Sequence, residues 1–170
     1  MKQEVASFLD YVAHSPTVFQ ATQQACDMLD AAGFTRLSEH EAWEILPGGR
    51  YYVTRNRSAL VAFAVPENGF THCQIVASHG DSPTFKLKAH AEGEAAGAYI
   101  RLDVEPYGGM IMSTWFDRPL SVAGRIFVRE NGEIAERLVS VERDLLVIPS
   151  VAIHMNRTAN DGMKYLANID

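Results

Sequence analysis

The chain has 170 residues, 47% of them hydrophobic, and a formal net charge of −6 from 15 basic and 21 acidic residues. Its length allows one sizeable core or two small ones, and an acidic balance without a basic cluster argues against a nucleic acid or an anionic membrane as partner. No apolar run is long enough for a membrane span, and the first residues are amphipathic where a secretory signal needs a continuous apolar block. We therefore expect a cytoplasmic protein.

Two cysteines are too few for a disulfide framework or for a zinc site built on thiolates. Cys26 falls in a helical pattern and Cys73 in a strand pattern. Both are expected to be small, buried hydrophobic side chains.

Helical spacing dominates the first thirty residues. Apolar residues recur at intervals of three and four over residues 5–12, and Ser15-Pro16 ends this first predicted helix. Thr17 can cap a second helix, predicted to continue until Gly33 supplies its C-terminal cap.

Strand-like runs follow. A short strand is predicted over residues 34–37, then a short helix over 38–43 opened by a Ser-x-x-Glu capping box. Strands are predicted over 50–55, 59–65 and 71–78. The first alternates and suits a half-exposed strand, whereas the other two are almost continuously apolar and suit a sheet covered on both faces. These two apolar strands are predicted to be antiparallel neighbours. Helices packed on a mixed sheet are therefore expected for this half.

The last of these runs stops abruptly at His79, Gly80 and Asp81. Open α/β sheets place ligands just beyond the carboxyl ends of their strands. If the chain stays extended, His79 and Asp81 point the same way, so Asp81 can accept a hydrogen bond from one ring nitrogen and leave the other suited to a divalent metal ion. Alternatively, Asp81 and Ser82 begin a turn and His79 is an ordinary strand-end residue.

The pattern changes after Pro83 and becomes β-rich. Residues 120–128 and 134–139 flank Asn131-Gly132, the strongest hairpin signal in the chain. We place a domain boundary near Lys88, which predicts one domain over residues 1–88 and a β-rich module over 89–170.

Other constellations are better explained structurally. Ser82 lacks the Gly-x-Ser-x-Gly elbow of a serine hydrolase. Gly108-Gly109 lacks the lysine and helix of a phosphate-binding loop, so a turn is preferred. Residues 115–118, Trp-Phe-Asp-Arg, are interpreted as packing plus an ion pair.

Six ordered segments resemble the aspartyl aminopeptidases, the M18 family of zinc exopeptidases, along essentially the whole chain. They cover residues 15–34, beginning Ser-Pro-Thr; 49–56, Gly-Arg-Tyr-Tyr-Val-Thr-Arg-Asn; 78–83, Ser-His-Gly-Asp-Ser-Pro; 104–109, Val-Glu-Pro-Tyr-Gly-Gly; 114–125, beginning Thr-Trp-Phe-Asp-Arg; and 148–154, Ile-Pro-Ser-Val-Ala-Ile-His. One departure is Pro119, where the family more often has an acidic residue.

The resemblance implies a two-zinc aminopeptidase that removes an acidic residue from the amino end of a peptide substrate. His79 would be a zinc ligand and Asp81 the carboxylate that orients it. His154 would reach the substrate or the oxyanion in the active site of a neighbouring subunit. Residues after Lys88 would begin a β-rich inserted domain that mediates assembly of a homo-oligomer.

The metal site is incomplete within this sequence. A binuclear site needs further carboxylate and histidine ligands and a general base, which the family supplies from sequence beyond residue 170. Glu92 and Glu94 are not substitutes, because no buried strand precedes them. The chain is therefore interpreted as an amino-terminal portion, inactive alone. The alternative is a non-catalytic assembly or regulatory module of the same fold.

Overall fold

A computed structural model of the chain describes residues 2–161. Its helices are α1, Gln3–Ala13, and α2, Val18–Ala31, and its strands are β1, Thr35–Leu37; β2, Arg50–Arg55; β3, Ala59–Ala64; β4, Thr84–Ala95; β5, Tyr99–Tyr107; β6, Ala123–Glu130; and β7, Glu133–Ser140. Short 3₁₀ turns cover Met112–Trp115 and Ala159–Asp161. Over residues 2–161, neither helix has the length and apolar character that a membrane span requires.

The first three strands form one mixed sheet. β1 lies parallel to β2, and β3 lies antiparallel to β2 on the other side. The later strands pair as two antiparallel hairpins, β4 with β5 and β6 with β7. Two helices with a mixed sheet confirm the predicted mixed α/β class.

Both predicted helices are present, for the predicted local reasons. Thr17 is the N-cap of α2, and its side chain accepts a hydrogen bond from the amide of Phe19 at 3.3 Å. Gly33 follows the C-terminal end of α2 with φ of +76°, a conformation that glycine adopts without a steric penalty.

The chain divides into two compact units. Within residues 2–161, the first unit comprises residues 2–81 together with Val122–Val141, and the second comprises Ser82–Ser121 and residues 142–161. The β6–β7 hairpin therefore belongs to the first unit. The predicted peptidase and assembly parts, residues 1–88 and 89–170, remain a prediction, and the compact units divide the chain at different positions.

The core of the first unit lies around β2. Tyr52 is 0% exposed, and Tyr51 and Cys26 are also buried. The predicted burial of the two strands is wrong: β2 is the more buried strand, while Val61 of β3 is 61% exposed. β2 is central and pairs on both sides, whereas β3 is an edge strand of this sheet.

The predicted strand over residues 71–78 is not formed. These residues have no regular secondary structure, and Ile75 and Val76 are 80% and 91% exposed. Cys73 is exposed as well, contrary to prediction, whereas Cys26 is buried as predicted. An apolar, β-branched run becomes a strand only when another strand supplies hydrogen-bond partners, and within residues 2–161 no strand pairs with it.

The predicted helix over residues 38–43 is also wrong, because a turn occupies its place. The Ser38 hydroxyl accepts from the amide of His40 at 3.2 Å, and the Ser38 carbonyl accepts from the indole nitrogen of Trp43 at 2.6 Å. Such local contacts compete with the helical hydrogen-bond pattern, and a segment this short gains too little to nucleate a helix.

The hairpin predicted around Asn131-Gly132 is confirmed. β6 and β7 pair in continuous antiparallel register from Ala123 opposite Ser140 to Glu130 opposite Glu133. Asn131 and Gly132 have φ of 51° and 89°, so both central residues adopt the positive φ that a two-residue hairpin turn of type I′ requires.

Candidate functional site

The candidate site centres on His79. Its Nδ1 lies 2.8 Å from the backbone carbonyl oxygen of Asp81 and 3.3 Å from the carboxylate Oδ1 of the same residue. A proton on Nδ1 is donated to Asp81, which leaves the lone pair on Nε2 for a metal ion. The predicted pairing of His79 with Asp81 is therefore present, with the backbone carbonyl as the nearer acceptor. The His79 side chain is 82% exposed.

Gly80 lies near the start of α2. A Cβ atom placed on Gly80 would lie 3.8 Å from Cγ2 of Val18, the first residue of α2. That is an ordinary van der Waals distance, so Gly80 passes close to the helix. The His79-Gly80-Asp81 segment thus passes near the first turn of α2, which Thr17 caps.

The described residues do not form a complete set of metal ligands. Within residues 2–161, no group of three or more His, Cys, Asp or Glu side chains could hold a metal ion. Zinc sites in proteins use three or four protein ligands. His79 fits as one member of such a set through its Nε2 atom. The chemistry of this segment fits zinc at that single nitrogen.

His154 lies in a turn of the second unit. The carbonyl of Ala152 accepts hydrogen bonds from the amides of Met155 at 2.8 Å and Asn156 at 3.1 Å, which closes the turn around His154. The side chain is exposed. His79 and Asp81 belong to the first unit, and the role of His154 stays a prediction.

Asp117 is a residue whose contacts the sequence did not reveal. Its amide donates to the carbonyl of Ile148 at 3.0 Å, and its Oδ1 accepts from the amide of Ser150 at 2.9 Å. Hydrogen bonds from the hydroxyl and the amide of Ser150 lower the pKa of the Asp117 carboxyl from its usual value. Its φ of 53° is rare for a residue other than glycine, and no local sequence signal predicts it.

The rest of the Trp-Phe-Asp-Arg segment agrees in part with its interpretation as packing. Trp115 packs edge-on against Phe85, with ring centroids 5.5 Å apart and an interplanar angle of 83°. Arg118 donates to the backbone carbonyl of Thr114 at 2.9 Å. Within residues 2–161, Asp117 and Arg118 make hydrogen bonds to the backbone, and the expected ion pair is not found.

Comparison with known families gives a clear match. The family model of aminopeptidase I zinc metalloproteases, M18, matches residues 11–169. A probable M18 family aminopeptidase 2 of Clostridium acetobutylicum is 41% identical over 180 aligned positions, covering 100% of this chain and 41% of the relative. A probable M18 family aminopeptidase 2 of Pseudomonas paraeruginosa is 45% identical over 159 positions, covering 91% of this chain and 36% of the relative.

Solved structures agree. A chain in the cryo-EM structure of the Ape4 and Nbr1 complex superposes with a TM-score of 0.88 at 41% identity, covering 95% of this chain and 31% of that one. The mApe1 dodecamer of Saccharomyces cerevisiae gives a TM-score of 0.78 at 31% identity, covering 89% and 36%. The M18 aminopeptidase of Thermotoga maritima shares the fold, with a TM-score of 0.71 at 21% identity, covering 99% and 37%.

These matches define a class of metal-dependent peptidases. The chain belongs to the M18 family of aminopeptidases, as its ordered motifs predicted. It spans about two fifths of the length of the curated relatives described above.

Proposed function

We propose that this chain is the amino-terminal part of a zinc-dependent aminopeptidase that removes acidic residues from the amino ends of peptides. The observation that carries the proposal is the geometry of His79, whose Nδ1 is engaged by Asp81 while Nε2 remains for a metal ion. This geometry occurs in a chain that matches the zinc metalloprotease family over residues 11–169.

In this proposal His79 is a zinc ligand and Asp81 a positioning residue. Contacts to Nδ1 fix the tautomer in which Nε2 carries the lone pair, and they hold the ring in one orientation. Two zinc ions, when bound, would supply Lewis acidity toward the scissile carbonyl and toward the attacking water. The remaining ligands and the general base would come from the larger part of the relatives' length that lies outside this chain.

The proposal extends to assembly and location. Residues 1–88 would contribute to the peptidase domain, and residues 89–170 would contribute to a β-rich inserted domain through which subunits form a homo-oligomer. The dodecamer formed by the yeast relative supports a homo-oligomer. The acidic charge balance supports a protein without a nucleic-acid or anionic-membrane partner, and a cytoplasmic location is part of the proposal.

The first prediction concerns His79 in the full-length protein. We expect His79→Ala to abolish hydrolysis of peptides that begin with Asp or Glu and to lower the amount of bound zinc, because the proposed zinc ligand is lost. Asp81→Asn should reduce kcat about tenfold to a hundredfold, the usual scale for partners that orient a metal ligand. Peptide hydrolysis and elemental analysis of the dialysed protein measure both effects.

His14→Ala is the matched control for this test. His14 is also exposed, and its Nδ1 lies 2.9 Å from the carbonyl of Asp10, so the variant removes a similar ring and a similar contact. It should retain activity and zinc. An active His79→Ala variant with full zinc content would contradict the proposal.

The non-catalytic module remains a second candidate, favoured by the lack of a three-ligand group within residues 2–161. The two candidates share an expectation for the 170-residue chain alone, which should not retain zinc through dialysis against a weak chelator. They differ for the full-length protein, since a module would show neither zinc nor peptidase activity. One equivalent retained by the short chain and lost in His79→Ala would show that it holds further ligands.

The second prediction tests whether His154 acts in a neighbouring subunit. In the full-length protein, His79→Ala should be nearly inactive because it removes a proposed zinc ligand. His154→Ala should also be nearly inactive, because loss of a hydrogen-bond donor to a developing oxyanion costs about a hundredfold to a thousandfold in turnover. Co-expression should form mixed oligomers in which some interfaces pair an intact metal site with an intact His154. Activity should then partly return. If differential tags demonstrate mixed oligomers that stay inactive, His154 does not act in trans.

A further inference from the structure

Residues 117–120 and 145–148 of the second unit lie side by side, and the second of these segments comes shortly before His154 in the sequence. Leu120 donates its amide to Leu146 at 2.9 Å, and its carbonyl accepts from the amides of Leu145 at 2.9 Å and Leu146 at 3.0 Å. Asp117 continues this contact through its amide to Ile148 at 3.0 Å. Residues 117–120 therefore hold the backbone of residues 145–148.

The Asp117 carboxylate extends the contact past a proline. Pro149 has no N–H group and cannot donate a hydrogen bond. The next donor is the amide of Ser150, and Asp117 Oδ1 accepts it at 2.9 Å. The backbone amide and the side chain of one residue thus bind the chain on both sides of Pro149.

The turn that carries His154 follows immediately. Ala152, whose carbonyl accepts from Met155 at 2.8 Å and Asn156 at 3.1 Å, lies two residues after Ser150. Because Ser150 is held and the turn is closed by its own hydrogen bonds, few rotatable bonds separate the fixed point from His154. The contact at Ser150 sets the direction in which the chain enters the turn.

The backbone of Asp117 is unusual in a way that fits this role. Its φ of 53° lies in the left-handed region, where a residue other than glycine carries a conformational cost that its surroundings must offset. Asp and Asn tolerate this region better than most residues. Hydrogen bonds to both its amide and its carboxylate hold Asp117 in this conformation.

We propose that Asp117 is a positioning residue for His154, fixing the Ser150 backbone from which the His154 turn begins. The inference rests on the proposed aminopeptidase function and adds to it a residue with a role at the same site. Asp117 acts through His154 and needs no contact with substrate. Removing the Asp117 carboxylate should therefore lower kcat by no more than removing the His154 side chain does.

The test is a double-mutant cycle in the full-length protein. Asp117→Gly removes the carboxylate but accommodates the positive φ, so the loss of the hydrogen bond is separated from backbone strain. We expect it to lower kcat about tenfold to a hundredfold. The double variant Asp117→Gly/His154→Ala should be no less active than His154→Ala, since the two residues act as a unit.

A conservative variant and a control complete the design. Asp117→Asn keeps an oxygen that can accept a hydrogen bond from the Ser150 amide. Its kcat should therefore be at least tenfold higher than that of Asp117→Gly. Asp103→Ala removes another carboxylate of the same unit, one that pairs with Arg101 on β5 at 3.0 Å, and it should retain wild-type kcat. Amide hydrogen exchange at Ser150 and Met155 should accelerate in Asp117→Gly and not in Asp103→Ala.

Several outcomes would overturn the inference. These are wild-type kcat in Asp117→Gly, a loss that adds in full to that of His154→Ala, or unchanged exchange at Ser150 and Met155. A wild-type protein without peptidase activity would contradict the proposed function instead. In that case faster exchange in Asp117→Gly would still support positioning of the turn, and unchanged exchange would contradict it.

Discussion

At the scale of single residues, Tyr52 stands out as a fully buried side chain with a polar group. It is fully buried on the central strand, and its hydroxyl donates to Oδ1 of Asp30 on α2 at 2.7 Å. Burial, the hydrogen bond to Asp30 and the charge of Asp30 raise the pKa of Tyr52 to about 12. The neutral phenol is therefore the form that the fold requires.

The third prediction follows from this raised pKa. In the unfolded chain the phenol ionises near its ordinary pKa of about 10, so the stability that Tyr52 contributes is fully present below pH 10 and is lost as the pH rises toward 12. Urea unfolding of the 170-residue chain between pH 8 and pH 12 should show this decline. Tyr52→Phe cannot ionise and should show a smaller decline over the same range. Equal declines in both proteins would contradict the assignment.

His79 and Asp81 show what a local pattern can predict about a site. A spacing of two residues was enough to predict that these two residues interact. It was not enough to identify the nearer acceptor, because that depends on the backbone path after His79, which the structure shows to be irregular. The hydrogen bond between Asp117 and Ser150 could not be predicted from a local pattern, because the two residues lie 33 positions apart in the sequence.

At the scale of elements, Gln20 joins α2 to the β6–β7 hairpin. It is buried, and its side-chain amide donates to the carbonyls of Val139 at 3.0 Å and Gly124 at 3.4 Å. Its side-chain oxygen accepts from the hydroxyl of Thr17. Arg125 of β6 adds a cation–π contact, 4.1 Å from the ring centroid of Phe19.

The fourth prediction is that Gln20→Glu loosens this hairpin. Glutamate has nearly the same shape, but when ionised it cannot donate, so two carbonyls would face a carboxylate without a hydrogen bond. We expect a loss of about 1–3 kcal/mol in the free energy of unfolding and faster amide exchange in β6 and β7.

Gln24→Glu makes the same chemical change on the same helix, at a position without these hairpin contacts. It should change the free energy of unfolding by no more than about 0.5 kcal/mol. Equal effects of the two variants would show that the Gln20 hydrogen bonds do not hold the hairpin.

The two helices α1 and α2 and the β6–β7 hairpin were predicted well from neighbouring residues, whereas the capping box at residues 38–43 predicted a helix that is not formed. The helices and the β6–β7 hairpin depend on caps, spacing and a two-residue turn, all readable within a few positions. Residues 71–78 have the composition of a strand, but pairing depends on another strand. The relative burial of β2 and β3 likewise depends on which strand is central, and an alternating pattern does not contain that information.

At the scale of the whole molecule, apolar surface is exposed along β3 and residues 70–76. Phe70, Ile75 and Val76 are exposed, and β3, with the sequence Ala-Leu-Val-Ala-Phe-Ala, pairs on one side only in its sheet. An edge strand without charge or proline is prone to pair with another chain, and exposed apolar patches promote association.

The fifth prediction is that the 170-residue chain associates with itself. Light scattering should show species larger than a monomer, increasing with concentration, and the double variant Ile75→Lys/Val76→Lys should reduce their size. Ile134→Lys introduces a charge at an exposed apolar residue outside this surface and should have little effect. A wild-type chain that stays monomeric at high concentration would contradict the prediction.

The discontinuous first unit has a consequence for folding during synthesis. Gln20 is bonded to residues 104 and 119 positions later in the chain, and at about 5–20 residues per second the ribosome needs roughly 5 to 24 seconds to make that intervening sequence. During this interval α2 has left the exit tunnel or is leaving it, without the hairpin that later packs on it. The nascent chain thus leaves Phe19 and Gln20 without their hairpin contacts until the hairpin has been made. Slowing translation before residue 141 should prolong that vulnerable period.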